Sequence, residues 1–264
     1  WPATIVFDEK GSEIDKLSGY LEPDEFLAKL KIYVRNRRPV APGAGGGDGA
    51  ADPGAGSVDA RRAAWQKLLV DRYDSVGGGW GLRHKFLLWW PTEYALRQAA
   101  RGDMAYRDKA HDVLRLSRKL IDSVWGGVYQ YSVGDWDHPH YEKIMQMQAE
   151  DLRIYAQAYA QFGDDAYRVD AENIVRFLTG FLRSDAGAFY TSMDADLTPG
   201  QHSEGYFALD DRGRRAQGLP RVDRHVYARE NGWAIEALVA YAGATGDWTA
   251  LLQAQRAAAY VDAH

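Results

Sequence analysis

Gly102-Asp103-Met104-Ala105-Tyr106-Arg107 and Gly163-Asp164-Asp165-Ala166-Tyr167-Arg168 are two copies of one turn, and Gly246-Asp247-Trp248-Thr249-Ala250 is a third. Each follows an apolar helical stretch and begins another. The Gly can take the left-handed conformation that ends one helix, and the Asp side chain can accept from the free N–H groups that begin the next. Around the second copy the apolar residues fall at helical spacing: Leu152, Tyr155, Tyr159 and Phe162 before it, and Tyr167, Ala171, Ile174, Leu178 and Phe181 after it.

A second element recurs after the helices that these turns open. Gly77-Gly78-Gly79-Trp80, Gly126-Gly127-Val128-Tyr129 and Gly187-Ala188-Phe189-Tyr190 each place an aromatic after small residues and lead through a polar loop to the next helix. The unit is helix, Gly-Asp turn, helix, Gly-aromatic loop. Its Gly-Asp copies lie 61 and then 83 residues apart, so the later loop carries an insertion. Periods of this kind mean stacked helical hairpins. The expected fold is mainly α: an (α/α) toroid of the six-hairpin barrel type, incomplete in this chain, with at least five long helices over residues 62–264. A short α-solenoid is the alternative. The toroid is favoured because the long polar loops are all of one kind and would converge on one face.

Outside this region the composition changes twice. Residues 1–38 read as strand, turn, strand, helix: Ala3-Thr4-Ile5-Val6-Phe7, the turn Asp8-Glu9-Lys10-Gly11, a returning strand over Glu13 to Leu17, and a helix opened by Glu22-Pro23-Asp24-Glu25. Two strands and a helix bury too little to stand alone. Residues 39–58 are nearly all Gly, Ala, Pro and Asp, a flexible linker by composition. Residues 59–264 are the helical domain.

The net charge of -5 argues against a general nucleic-acid binder. The densest basic cluster, Arg35-Asn36-Arg37-Arg38, is short and reads as a solvated helix end. With no Cys, the chain itself has no disulfide, thiolate metal site or cysteine nucleophile. No run approaches the roughly 18 apolar residues of a membrane span. The compartment stays unassigned.

Several motifs resemble those of a family of uncharacterised proteins in which a thioredoxin-like domain precedes a six-hairpin (α/α) barrel, and whose animal member is called spermatogenesis-associated. They are Gly78-Gly79-Trp80-Gly81 with His84-Lys85-Phe86; Gly126-Gly127-Val128-Tyr129-Gln130-Tyr131-Ser132; Pro139-His140-Tyr141-Glu142-Lys143-Ile144-Met145; Phe189-Tyr190-Thr191-Ser192-Met193-Asp194-Ala195-Asp196; and Asp223 through Glu230-Asn231-Gly232-Trp233. Trp1-Pro2-Ala3-Thr4 with its strand and Asp8-x-x-Gly11 resembles the second half of a thioredoxin fold. The resemblance implies that residues 1–38 are the C-terminal part of such a domain. It also implies that the chain is a fragment lacking the first thioredoxin half, with any Cys-x-x-Cys, and the last barrel hairpins. Glu230 departs from the family, standing where many members have an aromatic.

The motif residues supply the candidate site. His140 and Glu142 are expected at the start of a helix after Pro139, where an imidazole and a carboxylate can transfer protons or bind hydroxyls. Equally, Glu142 can pair with Lys143 or Arg153 while His140 caps the helix. Asp194 and Asp196 fall on one side of an extended segment. With Glu142 they can form the paired carboxylates of glycoside hydrolysis, or they can cap the next helix. Trp80, His84, Lys85, Tyr131, Lys143, Glu204, His225, Glu230 and Asn231 are candidate ligand-binding residues. Trp80, Tyr129, Tyr131, Trp136 and Tyr190 can stack on a sugar ring or lie in the core. No metal and no cofactor is expected: His138-Pro139-His140 and His202-x-Glu204 make no strong zinc pattern.

The expected function is a carbohydrate-active or related pocket binding a sugar-like small molecule. An epimerase would favour His140 with His225; a hydrolase would favour Glu142 with Asp194 or Asp196. The alternative class is a non-catalytic or thiol-quality-control partner, whose barrel holds a client protein for the thioredoxin domain.

Overall fold

A computed structural model of the chain describes residues 3–11, 13–18, 23–35, 57–81, 84–198 and 204–264. It divides into two units, Trp1–Leu68 and Leu69–His264. The first holds β1 (Ala3–Phe7), β2 (Glu13–Ser18) and α1 (Pro23–Arg35). The strands pair antiparallel, with Thr4 opposite Leu17 and Val6 opposite Asp15. Between them Gly11 takes a positive φ of 79° and donates to the Asp8 carbonyl at 3.1 Å. Tyr33 of α1 donates its hydroxyl to Asp15, tying helix to hairpin. The ββα order expected of this segment is present. Trp1-Pro2 and the expected linker lie outside the described residues, except for Ser57 and Val58, and Val58 already begins α2 (Val58–Asp71).

The second unit is helical. β3 (His84–Lys85) leads into α3 (Trp89–Ala100) and α4 (Met104–Ser117). β4 (Tyr131–Val133), β5 (Pro139–His140) and β6 (Lys143–Ile144) precede α5 (Met145–Phe162) and α6 (Asp165–Phe177). β7 (Ser192–Met193), α7 (Glu204–Phe207), α8 (Asp211–Gln217) and β8 (Val222–Asp223) precede α9 (Ala228–Thr245) and α10 (Trp248–Ala263).

The Gly-Asp turns work as their chemistry requires. Gly163 and Gly246 end α5 and α9 in the left-handed conformation, at φ 67° and 77°. The Asp103, Asp164 and Asp247 side chains accept from Ala105, Ala166 and Thr249 N–H groups at 3.0, 2.9 and 2.8 Å. Three antiparallel hairpins result: α3 with α4, α5 with α6, and α9 with α10. α3, α5 and α9 pack on one another as an inner row, each with its partner on the outside. Leu114, Leu152, Ile154, Ile174, Phe177 and Leu238 are fully buried between the rows. Each such side chain stabilises the fold by about 1.5–3 kcal/mol.

The outer-to-inner connections repeat as well. Each opens with a small loop closed by a bridge: Tyr73 to Trp80, Ile121 to Val128, and Arg183 to Phe189. The residue after the first bridge position is Asp74, Asp122 or Ser184, and its N–H donates to Gly79, Gly127 or Ala188 at 2.8, 2.9 and 2.8 Å. In the first two loops the Asp side chain accepts a buried lysine: Lys85 Nζ to Asp74 at 2.6 Å, and Lys143 Nζ to Asp122 at 2.6 Å. The fourth residue of the inner helix holds the other side. Gln148 exchanges hydrogen bonds with the Val128 backbone at 2.6 and 2.7 Å, and Asn231 does the same with Phe189 at 2.7 and 3.1 Å.

Two three-stranded antiparallel sheets, β3-β4-β5 and β6-β7-β8, stitch consecutive connections together at one end of the hairpins. The insertion in the third connection folds as α7 and α8 and docks on the second loop. Arg214 of α8 is fully buried and grips Asp122 at 2.6 and 3.1 Å while donating to the Phe207 carbonyl at 2.6 Å.

Asp122 thus carries two buried cations. Removing its charge while they stay buried should cost roughly 3–5 kcal/mol, whereas the exposed Lys119–Asp137 pair should be worth under about 1 kcal/mol. In urea denaturation, Asp122→Asn is expected to lower the midpoint far more than Asp137→Asn; equal effects would contradict this account.

Candidate functional site

The chain from Pro139 to Ile144 runs extended across the rim as β5 and β6, and α5 begins only at Met145. His140 is therefore in β5 and Glu142 in the short link between β5 and β6, not in the first turn of a helix. The reason lies in the sheets: Pro139 and His140 pair with Ser132 and Tyr131, and Lys143 and Ile144 pair with Met193 and Ser192. Successive side chains along extended backbone point to opposite faces. Lys143 turns into the loop beneath, while Glu142 and Ile144 face a cavity of about 290 Å³.

That cavity is lined by Glu142, Ile144, Ser192, Met193, Asp194, Arg221 and Asp223. Cross-strand pairing brings them together. Ser192 lies opposite both Ile144 and Asp223, and Asp194 N–H donates to the Arg221 carbonyl at 2.8 Å. Glu142 Oε2 is buried without a hydrogen-bond partner among the described residues. Neither partner expected for Glu142 is engaged with it in an ion pair. Lys143 is taken by Asp122, and Arg153 by Glu93 and Glu150 at 2.8 and 2.9 Å. Asp223 is held below the usual carboxylate range, chiefly by a hydrogen bond from His225, whose Nδ1 lies 2.5 Å from it.

Three rings cluster on the β3-β4-β5 sheet. Tyr131 packs face to face on His140, at 4.3 Å between centroids, and edge-on against His84 at 4.9 Å. The Tyr131 hydroxyl is pushed up, first by burial and then by the charge of Glu142.

Several expected ligand contacts have structural duties instead. Lys85 and Lys143 are fully buried, and each also donates to loop carbonyls: Lys85 to Gly78 and Gly81, Lys143 to Gly126. Burial brings the Lys143 ammonium down to about 8 against the opposing pull of Asp122. Burial likewise works to raise Asp122, but the charge of Lys143 and the hydrogen bonds from Arg214 and Lys143 hold it low, so both ends are charged at neutral pH. Trp80 is core and donates Nε1 to the Leu69 carbonyl at 2.9 Å. Tyr129 and Trp136 are also core. Asn231 clamps Phe189.

Glu230 pairs with Arg229 at 2.7 Å, and its Oε2 is buried without a partner among the described residues. Asp196 does not line the cavity, because β7 ends at Met193 and the Asp194 side chain accepts from the Asp196 N–H at 3.3 Å, bending the chain. His140 and His225 are likewise absent from the lining. Glu204 begins α7 in the insertion. Among the described residues no group of three His, Cys, Asp or Glu is placed to hold a metal ion.

Sequence reasoning passed over Arg221, Asp223 as a lining residue, and a charged group on the inner helices. Asp151 of α5 is almost wholly buried and accepts Trp89 Nε1 at 2.7 Å, while Glu93 of α3 binds Arg153 and Arg97. The legible signal was a set of acids and arginines recurring three or four apart on otherwise apolar helices.

No protein-family model matches the sequence. Part of the chain is similar to spermatogenesis-associated protein 20: 31% identical over 143 residues to the mouse protein and 31% over 161 residues to the human one. Those stretches are 50% and 58% of this chain, which spans about a fifth of the length of these relatives, 18% and 20%. Among solved structures, a cellobiose 2-epimerase from Spirochaeta thermophila superposes with a TM-score of 0.56 at 15% identity, over 73% of this chain and 49% of its own. An alpha-1,6-mannanase of Salegentibacter, bound to alpha-1,6-mannotriose, gives 0.54 at 16% identity, over 77% and 53%. The fold is that of the (α/α) barrels found among glycoside hydrolases and sugar epimerases.

Burial pushes the Asp151 carboxyl up to about 8 against the Trp89 hydrogen bond. An unfolded Asp titrates near 3.9. The folded chain therefore binds the extra proton, and stability should fall as pH rises from about 4 to 8. Asp151→Asn keeps an acceptor for Trp89 and removes this slope. Its urea midpoint is expected to exceed that of the parent at pH 8 and to approach it at pH 4; a variant less stable at pH 8 would refute the assignment.

Proposed function

We propose that the cavity bounded by Glu142, Asp194, Asp223 and Arg221 binds a sugar-like small molecule, and that Glu142 and Asp194 are its acid–base pair. One observation carries the reading: two carboxylates 52 residues apart in sequence line the same cavity, and one of them, Glu142, keeps a buried oxygen with no partner among the described residues. A buried acceptor left unpaired costs about 1–3 kcal/mol, which a ligand hydroxyl donating to it would recover. The two carboxyls can then divide the work of glycoside chemistry, one giving a proton to a leaving oxygen and the other activating water or attacking the sugar. Arg221 offers a fork of donors to hydroxyls.

Paired carboxylates are favoured over the paired imidazoles of an epimerase. Neither His140 nor His225 lines the cavity: the first is stacked on Tyr131, and the second is bound to Asp223. The barrel's likeness to sugar enzymes supports a carbohydrate ligand as a class, but the fold alone does not select the reaction.

The test is calorimetric titration with mono- and disaccharides, followed by a hydrolysis assay on those that bind. Glu142→Gln and Asp194→Asn are each expected to lower affinity or turnover at least tenfold, with the melting temperature within about 2 °C of the parent, since Glu142 has no ion pair among the described residues to lose. Unchanged binding in both variants, or a large loss of stability in Glu142→Gln, would move these residues to a structural role.

A further inference from the structure

The third loop breaks the pattern of the first two. In those, the residue after the bridge is an aspartate whose Oδ1 accepts the N–H two residues on, from Val76 or Val124 at 2.9 Å, while Oδ2 takes a buried lysine. In the third, Ser184 stands at that place, defined by the same backbone hydrogen bond, and the connection that follows brings no lysine. The carboxylate and its internal cation are both gone. Ser184 Oγ is buried with no partner among the described residues.

What surrounds the serine differs too. A cavity of about 430 Å³ opens between this loop, residues 183–187, and Gln253 and Arg256 of α10. Gln253 Oε1 is a second buried atom there without a partner among the described residues. Turned about its last bond, that carboxamide offers two N–H donors to the same space. Neither Arg183 nor Arg256 makes an ion pair among the described residues, and the acid in the lining, Asp185, pairs with neither of them. In the second loop a carboxylate is present and Arg214 comes to it. In the third, two guanidinium groups line the cavity with the exposed Asp185, and Ser184 stands where the other loops have their carboxylate.

We infer that this cavity is a binding site for a small molecule carrying an oxyanion, a phosphate or a carboxylate, which supplies from outside the negative group that Asp74 and Asp122 supply in the other two loops. The chemistry matches the lining: two guanidinium forks for charge-assisted, bidentate contacts, and a hydroxyl and a carboxamide as neutral donors. The volume suits a sugar phosphate or sugar acid rather than a bare ion alone. Gly187 is required beside it, since a Cβ there would stand 3.0 Å from Arg256 Cβ and its φ is 94°. The site is separate in its residues from the one around Glu142 and stands without the acid–base reading.

Calorimetry in low salt with inorganic phosphate, glucose 6-phosphate and glucuronate tests it. Saturable binding of at least one is expected at or below about 10 mM. Binding of either phosphate probe alone assigns a phosphate site, binding of glucuronate alone a carboxylate site, and both support the proposal. The double variant Arg183→Ala with Arg256→Ala, two exposed positions, is expected to weaken binding at least tenfold, whereas Lys119→Ala, which removes a cation outside the lining, leaves it unchanged. Ser184→Asp, which restores the internal carboxylate, should abolish binding without lowering the melting temperature. Absence of saturable binding by all three probes, equal affinity in the double variant, an equal loss of affinity in Lys119→Ala, or undiminished binding in Ser184→Asp would each overturn the inference.

Discussion

The rim of this barrel depends on one carboxylate. Asp122 receives Lys143 from its own connection and Arg214 from the insertion of the next, both almost without exposure to water. Its Oδ1 also caps the loop that contains it. Two cations and one acid in so dry a place are stabilised by further acceptors: the Gly126 carbonyl for Lys143, and the Phe207 and Leu209 carbonyls for Arg214. The rings of Tyr129 and Phe177 flank the ammonium, and those of Trp125 and Phe207 flank the guanidinium. Close approach adds a steric condition. Gly126 sits against Asn173 of α6, where a Cβ would lie 2.0 Å from the carbonyl oxygen.

This constraint decides where the candidate catalytic groups point. Lys143 must face the loop to reach Asp122, and the pleat then turns Glu142 and Ile144 the other way, into the cavity. The same segment pairs forward with β7, and β7 pairs with β8, so Asp194 and Asp223 arrive at that cavity through backbone register. A buried ion pair and a cavity-lining carboxylate are thus neighbours in sequence and opposite in orientation.

Repetition with variation gives the three connections different uses. The first two carry their own carboxylate and lysine and are closed internally. The third gives up both and leaves a polar hollow between its loop and α10, while its long insertion serves the second. A repeat keeps its fold when the backbone hydrogen bonds are retained, and its side chains are then free to diverge.

The helical hairpins were legible in the sequence because they are local. A Gly that ends a helix and an Asp that caps the next act within a few residues, and apolar spacing of three and four reports a buried face without regard to the rest of the chain. The placing of charged residues was not local. Lys143 looked like a companion for Glu142, and Asp196 like a companion for Asp194, because each pair is close in sequence. Whether Lys143 turns to Glu142 or to Asp122, 21 residues away, is settled by strand pairing and by the energy of burying an ammonium. The sequence by itself determined the stacked hairpins, the Gly-aromatic loops and the set of acids near the rim. Only the tertiary structure decided which of those acids share a cavity and which hold the loops, because a side chain's partner is fixed by register and burial across elements that are distant along the chain.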